Sequence, residues 1–241
     1  TAMALTAKIV LKEIDRIHKS KPNYGHPLWA GMLDDSLTIE QIRYFCKQHG
    51  SIPLHNHNYH GRLYVICPDP EWREEIASVS YEEATGRLFA AGVSHHKLYL
   101  DYGAAIGISK DEMYATKFCA GVVAFQAYFS YICGKTFLEG VASHMLGGEA
   151  PIPGTYGRIA KRLQDRFGLD NKGVAYWIVH DTADEDHSGV GVKLLDRFAK
   201  TQDDLQLVVD TVQTTVDVMH LMYDDIWTHM QEIEAADEAA R

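Results

Sequence analysis

Helix-start signals recur along this chain, and no stretch of it alternates like a strand. Thr38-Ile-Glu-Gln41 and Ser109-Lys-Asp-Glu112 are capping boxes: the hydroxyl accepts from a first-turn N–H and the side chain three residues on reaches back to the cap. Asp69-Pro70-Glu71 is a third start, with Asp as N-cap and Pro where no backbone donor is needed. Behind such signals apolar residues return at helical spacing, as in Ile9, Val10, Ile14 and Ile17. No segment combines sustained period-two alternation with β-branched enrichment, so no sheet is expected. No repeat with a period of about 20–50 residues is present.

The breakers set the expected boundaries. A helix should cover Ala4 to Lys19, followed by the turn Lys21–Pro27. The helix opened by Thr38 should run to about Cys67, with Pro53 kinking or splitting it. The helix from Pro70 delivers Tyr81-Glu82-Glu83; Gly86 and Gly92 then interrupt, and helix resumes near Ser94. Phe118, Val122, Phe125, Phe129 and Ile132 predict a central, buried helix. Gly147–Gly154 breaks the pattern, and helices should follow at Tyr156–Phe167, Gly173–Ala199 and Asp203–Ala235. The sum is an all-α bundle of seven or eight helices, forming one domain over residues 1–241.

Charge narrows the function. The 33 acidic against 23 basic residues leave a net charge of −10 with no basic cluster, which argues against nucleic acid as a partner. No apolar run approaches the about 20 residues of a membrane span, and no signal peptide opens the chain. Cys46, Cys67, Cys119 and Cys133 are scattered without CxxC pairs and read as reduced thiols of a cytoplasmic protein.

The chemistry-bearing stretch is His180-Asp-Thr-Ala-Asp184-Glu-Asp-His187. On a helix, positions i, i+4 and i+7 share one face, so His180, Asp184 and His187 would present two imidazoles and a carboxylate together. That set suits iron, manganese or zinc. The competing reading is an exposed acidic turn, with Asp181, Glu185 and Asp186 on its wet side. Further ligands would come from facing helices. The acidic candidates are Glu82, Glu83, Glu139 and Glu149; the imidazole candidates are His26, His55, His57, His60, His95, His96 and His144. The 55–60 cluster reads as polar lining or surface, and His26 before Pro27 as a structural or pocket residue.

The spacing His180-x3-Asp184-x2-His187 resembles the third ligand motif of the haem-oxygenase-like diiron oxidases and oxygenases, the CADD-like group whose fold is related to TenA and PqqC. Glu82-Glu83 resembles that family's acidic start, His95-His-Lys-Leu98-Tyr99 its His-x2-Leu-aromatic continuation, and Glu149-x3-Pro153 its second acid. The resemblance covers about residues 24 to 190. It implies a haem-oxygenase-like fold and the ligand set Glu82, His95, Glu149, His180, Asp184 and His187. Glu83 is the alternative to Glu82 and His96 to His95; Glu139 and His144 are the rival acid and extra imidazole. One departure stands out. Glu82 and His95 are 13 residues apart and would lie on different faces of one continuous helix, so they meet only if it breaks at Gly86 and Gly92.

What the resemblance implies is an O2-dependent oxidoreductase. Two irons per chain, or a manganese–iron pair, would activate O2 and oxidise a small organic substrate of amino-acid, amine or fatty-acid type. An external electron donor and a homodimer belong to the same expectation. The alternatives are a metal-independent PqqC-like oxidase, a TenA-like hydrolase with Cys133 as its cysteine, or a non-enzymatic interaction protein.

Overall fold

The computed structural model describes residues 4–148, 155–182 and 187–239, with the backbone alone at 56–57, 182, 187–192 and 237–239. Among these residues there is no strand. The order is α1 (Ala7–Ser20), α2 (Pro27–Asp34), α3 (Ile39–His49), α4 (Asn56–Ile66), α5 (Pro70–Thr85), α6 (His95–Ala105), α7 (Lys110–Tyr114), α8 (Ala120–Ile132), α9 (Phe137–Val141), α10 (Thr155–Phe167), α11 (Ala175–Thr182), α12 (His187–Phe198) and α13 (Gln202–Ala239). A 3-10 turn at Asn23–Gly25 precedes α2, and a π-helical stretch, Ala142–Gly148, continues α9. The all-α expectation holds. The seven or eight helices arrive as more and shorter segments, because α7 and α9 are single-turn pieces and the stretch from Thr38 to Cys67 is divided around Pro53.

The start signals act as their chemistry requires. Thr38 and Gln41 cap each other reciprocally, as do Ser109 and Glu112. Asp69 accepts from Glu71 N at 2.9 Å and Trp72 N at 3.4 Å, while its other oxygen takes Arg197 Nε at 2.6 Å. That carboxylate therefore fastens the start of α5 to the end of α12.

The central helix is α13, not α8. Its 38 residues are about 57 Å long at about 1.5 Å per residue. Leu205, Val208, Val212, Val216, Met219, Met222, Tyr223, Ile226 and Met230 are buried in steps of three and four, one apolar seam along the whole rod. It packs on α8, the π-helical stretch, α1, α3, α9 and α2. The expected central helix begins only at Ala120, because Gln48 of α3 holds the preceding turn, donating to Lys117 O at 3.1 Å and accepting from Cys119 N at 3.0 Å. Val122, Phe125, Phe129 and Ile132 of α8 are buried, whereas Val123 and Tyr131 face out.

The break between α5 and α6 positions the site. Gly86 ends α5 in the left-handed region at φ +61°, and a Cβ there would stand 2.0 Å from Val93 O. Gly92, at φ +79°, would meet nothing within 4 Å. Replacing Gly86 by alanine should therefore cost at least about 2 kcal/mol of stability, and Gly92→Ala only about 1 kcal/mol from backbone strain. Urea midpoints of the two variants check this; equal losses would mean that the Gly86 contact is not what holds the turn.

Candidate metal centre

α5 and α6 run into a short loop that folds back over the end of α5. Glu82, buried at 2% exposure, supplies the anchor. Its Oε2 accepts from Leu88 N at 2.6 Å and Phe89 N at 3.4 Å, and its Oε1 from Ala90 N at 3.1 Å. The same Oε1 lies 3.3 Å from His95 Nε2. The helix break that the 13-residue spacing demanded is thus present, and Glu82 and His95 do meet. Sequence reasoning missed that Glu82 serves the loop's backbone; no residue pattern announces it, since any buried acid at the end of a helix could do the same.

Glu83 points elsewhere, as adjacent residues on a helix must. Its Oε1 lies 3.1 Å from His95 Nδ1. Glu83, His95 and His180 each present one ligand atom, all within 4.8 Å of one another. The rings of His95 and His180 meet edge-on with centroids 4.8 Å apart. His180 reaches the cluster from α11, where Nδ1 is 2.7 Å from the Tyr176 carbonyl. A carbonyl accepts only, which assigns the proton to Nδ1 and leaves the lone pair on Nε2. Metal-bound histidines commonly use this arrangement, one nitrogen tied to a carbonyl and the other turned to the ion.

The electrostatics agree with a cation site. Burial pulls the His95 imidazole down, but Glu83 and Glu82 outweigh it and hold its pKa above the ordinary 6.5. Burial likewise raises Glu83, but His95, and more weakly His180 and His60, bring its pKa below 4.5. The donors are imidazole nitrogen and carboxylate oxygen with no thiolate, which fits iron or manganese better than structural zinc.

Other candidates fall into distinct roles. Asp184 and Glu149 lie outside the described residues, and of His187 only the backbone is described, at the start of α12. Glu139 is taken up by Thr136 Oγ1 at 2.7 Å and Lys135 Nζ at 2.6 Å, which makes it part of the α9 cap. His144, on the π-helical stretch, is buried against His60 with ring centroids 4.5 Å apart. His26 caps α2, accepting from Leu28 N at 3.2 Å, and contacts Asp224 at 3.0 Å. Cys133 is fully buried at the end of α8. The π-helical stretch approaches α13 so closely that a Cβ on Gly147 would stand 2.9 Å from Thr215 Cβ. π segments of this kind concentrate at functional sites.

Helical bundles can build metal sites from inward-facing carboxylates and imidazoles, and this cluster is of that kind. The protein-family model described as iron-containing redox enzyme matches residues 43–220, well over half of the chain, and the chain belongs to that family. It is 22% identical over 188 residues to the 4-aminobenzoate synthase of Chlamydia pneumoniae, covering 76% of this chain and 78% of the relative. It is also 22% identical over 226 residues to the 4-aminobenzoate synthase of Nitrosomonas europaea, covering 89% of each. Among solved structures, a CADD-like protein of unknown function from Nostoc punctiforme superposes with a TM-score of 0.72 at 11% identity, over 95% of this chain and 97% of that one. A protein from Shewanella denitrificans with a heme oxygenase-like fold gives 0.71 at 17% identity, over 94% and 92%. The haem-oxygenase-like fold is thereby shared, and the chain is an oxidoreductase. No helix among the described residues is long and apolar enough to cross a membrane.

The pKa directions carry a prediction for the metal-free chain. The raised His95 value contributes stability that is fully present below pH 6.5 and lost as pH rises through the folded-state value. Unfolding free energy should fall over that window, and Glu83→Gln should flatten the slope. Urea titrations across pH, run in chelator, measure it; parallel slopes in the two proteins would remove Glu83–His95 pairing as the cause.

Proposed function

We propose that this protein is a non-haem diiron oxidase or oxygenase, in which Glu83, His95, Glu149, His180, Asp184 and His187 hold two irons. The observation that carries the reading is the convergence of Glu83, His95 and His180 from three helices into one buried group of ligand atoms. The geometry supports Glu83 in the place where the family resemblance suggested Glu82, because the Glu82 carboxylate is engaged with the 88–90 backbone. Asp184 and His187 follow His180 by four and seven positions in the sequence, and Glu149 follows the π-helical stretch directly in the sequence. When bound, the irons supply one-electron steps and O2 activation. The protein's part is to fix the ligands. Tyr176 orients His180, and Glu82, through the loop and its contact with His95, orients that imidazole.

The substrate is a small organic molecule oxidised beside the irons in the cytoplasm. The relatives named as 4-aminobenzoate synthases support a biosynthetic role. Phe129, Tyr59, His60 and His144 form an aromatic and imidazole wall between α4, α8 and the π-helical stretch, suited to a ring bearing polar groups.

Anaerobic loading with Fe(II) followed by O2 tests the reading. The expected result is two irons bound per chain and a transient visible absorption band. His180→Ala should lower iron affinity by more than about tenfold, since even residues behind the ligands are worth that much. Glu83→Gln should lose iron as His180→Ala does. Glu82→Gln should keep most of it while loosening the 86–93 loop, seen as faster amide exchange at Leu88 and Ala90. Full iron occupancy in His180→Ala, or iron loss confined to Glu82→Gln, would overturn the assignment.

A further inference from the structure

From the cluster toward the surface runs a line of aromatic side chains in edge-on and tilted contact that the ligand set does not use. Tyr176 lies 4.3 Å from His180, ring centre to ring centre, and Tyr156 lies 6.4 Å from it. Both tyrosines touch Trp177, at 5.3 Å and 5.5 Å. Trp177 meets Trp29 at 6.4 Å, Trp29 meets Tyr223 at 5.8 Å, and Tyr223 meets His26 at 5.7 Å. His26 contacts Asp224, whose side chain is 68% exposed. The line draws on α11, α10, α2 and α13, so no single helix's periodicity produced it.

Packing alone accounts for it poorly. Trp177 is fully buried, and its indole Nε1 has no hydrogen-bond partner among the described residues. A buried donor left unsatisfied costs about 1–3 kcal/mol, which a phenylalanine in the same place would avoid. The chain carries an indole there at that cost. What an indole offers and a phenyl ring does not is an accessible one-electron oxidation.

We propose that Trp177 and Trp29 form an electron relay leading from the metal centre, by way of the buried Tyr223 and His26, to the surface beside Asp224. The proposal rests on the iron reading above. The donor at the surface is a soluble one-electron reductant, for which ascorbate serves as probe. For each electron delivered, the donor loses one, the O2-oxidised iron centre gains it, and the two indoles return to their starting state. No bond is made or broken in the relay. An indole gives up an electron without having to give up its proton, which suits an interior in which both Trp29 and Trp177 are fully buried. When substrate is absent, the same line carries oxidising equivalents outward, away from the ligands.

The test uses the iron-loaded full chain, oxidised with O2, freed of excess O2 and mixed with ascorbate in a stopped-flow instrument. Iron content and melting temperature are measured first for wild type, Trp29→Phe and Trp177→Phe. Trp29→Phe should hold the same iron yet be re-reduced more than about tenfold more slowly. A second reading is independent of turnover: after exposure to O2 without substrate, peptide mass spectrometry should find oxidised indole at both Trp29 and Trp177 in wild type, and at Trp177 alone in Trp29→Phe. If Trp177→Phe does not fold, Trp29→Phe, farther from the cluster, carries the test. Equal re-reduction rates at equal iron content overturn the relay and leave the iron reading standing. A wild-type chain that takes up no iron overturns both.

Discussion

One buried carboxylate sets the geometry around which the site is built. Glu82 has almost no access to water, and a carboxyl group in that position is tolerable only when its oxygens are hydrogen-bonded. The partners come from the backbone of the loop that follows, together with His95. Satisfying Glu82 therefore curls the chain back on α5 and starts α6 directly over it. Two consequences follow from the same contact. His95 is carried beside Glu83, and Glu83, about 100° around the helix from Glu82, is left to face the imidazoles.

Much of this was written locally. The caps at Thr38, Asp69 and Ser109 each lie within four residues of their partners, so the sequence displays both halves of every interaction. The glycines at 86 and 92 marked the break that allows Glu82 and His95 to meet, and His180 was read as a ligand from its spacing to Asp184 and His187. What stayed hidden depends on partners far along the chain. Gln48 stops α8 from starting early by binding residues about seventy positions away, and nothing near Phe118 signals it. The hydrogen bonds that set Glu82 apart from Glu83 were illegible for a related reason. They turn on which carboxylate finds the loop's N–H groups, and loop conformation is a tertiary outcome. The His60–His144 pair and the aromatic line from Tyr176 to His26 likewise exist only once helices from opposite ends of the chain are packed.

The rings around His49 also define what one side of the cluster is like electrically. His49, enclosed by Trp29, Phe45, Tyr99 and Trp177, has its pKa pushed down to about 3 by burial and stays uncharged. Tyr99 donates to the Cys46 carbonyl at 2.8 Å, so its oxygen accepts from His49 Nδ1 at 3.1 Å. This side of the cluster is polar in composition yet carries no net charge. The charge is concentrated where Glu83 and Glu82 meet His95.

The long last helix has a consequence for how such a protein is born. α13 packs against α1, α2 and α3, and Gln202 holds the Leu5 backbone from 197 residues away. At about 5–20 residues per second, a ribosome needs on the order of ten seconds or more to synthesise the chain between those two points. Throughout that interval the sides of α1, α2 and α3 that face α13 stay uncovered, although α2 and α3 can already meet α10 and α6. The bundle is therefore completed only after α13 has left the exit tunnel, and its early helices are natural clients for chaperones until then.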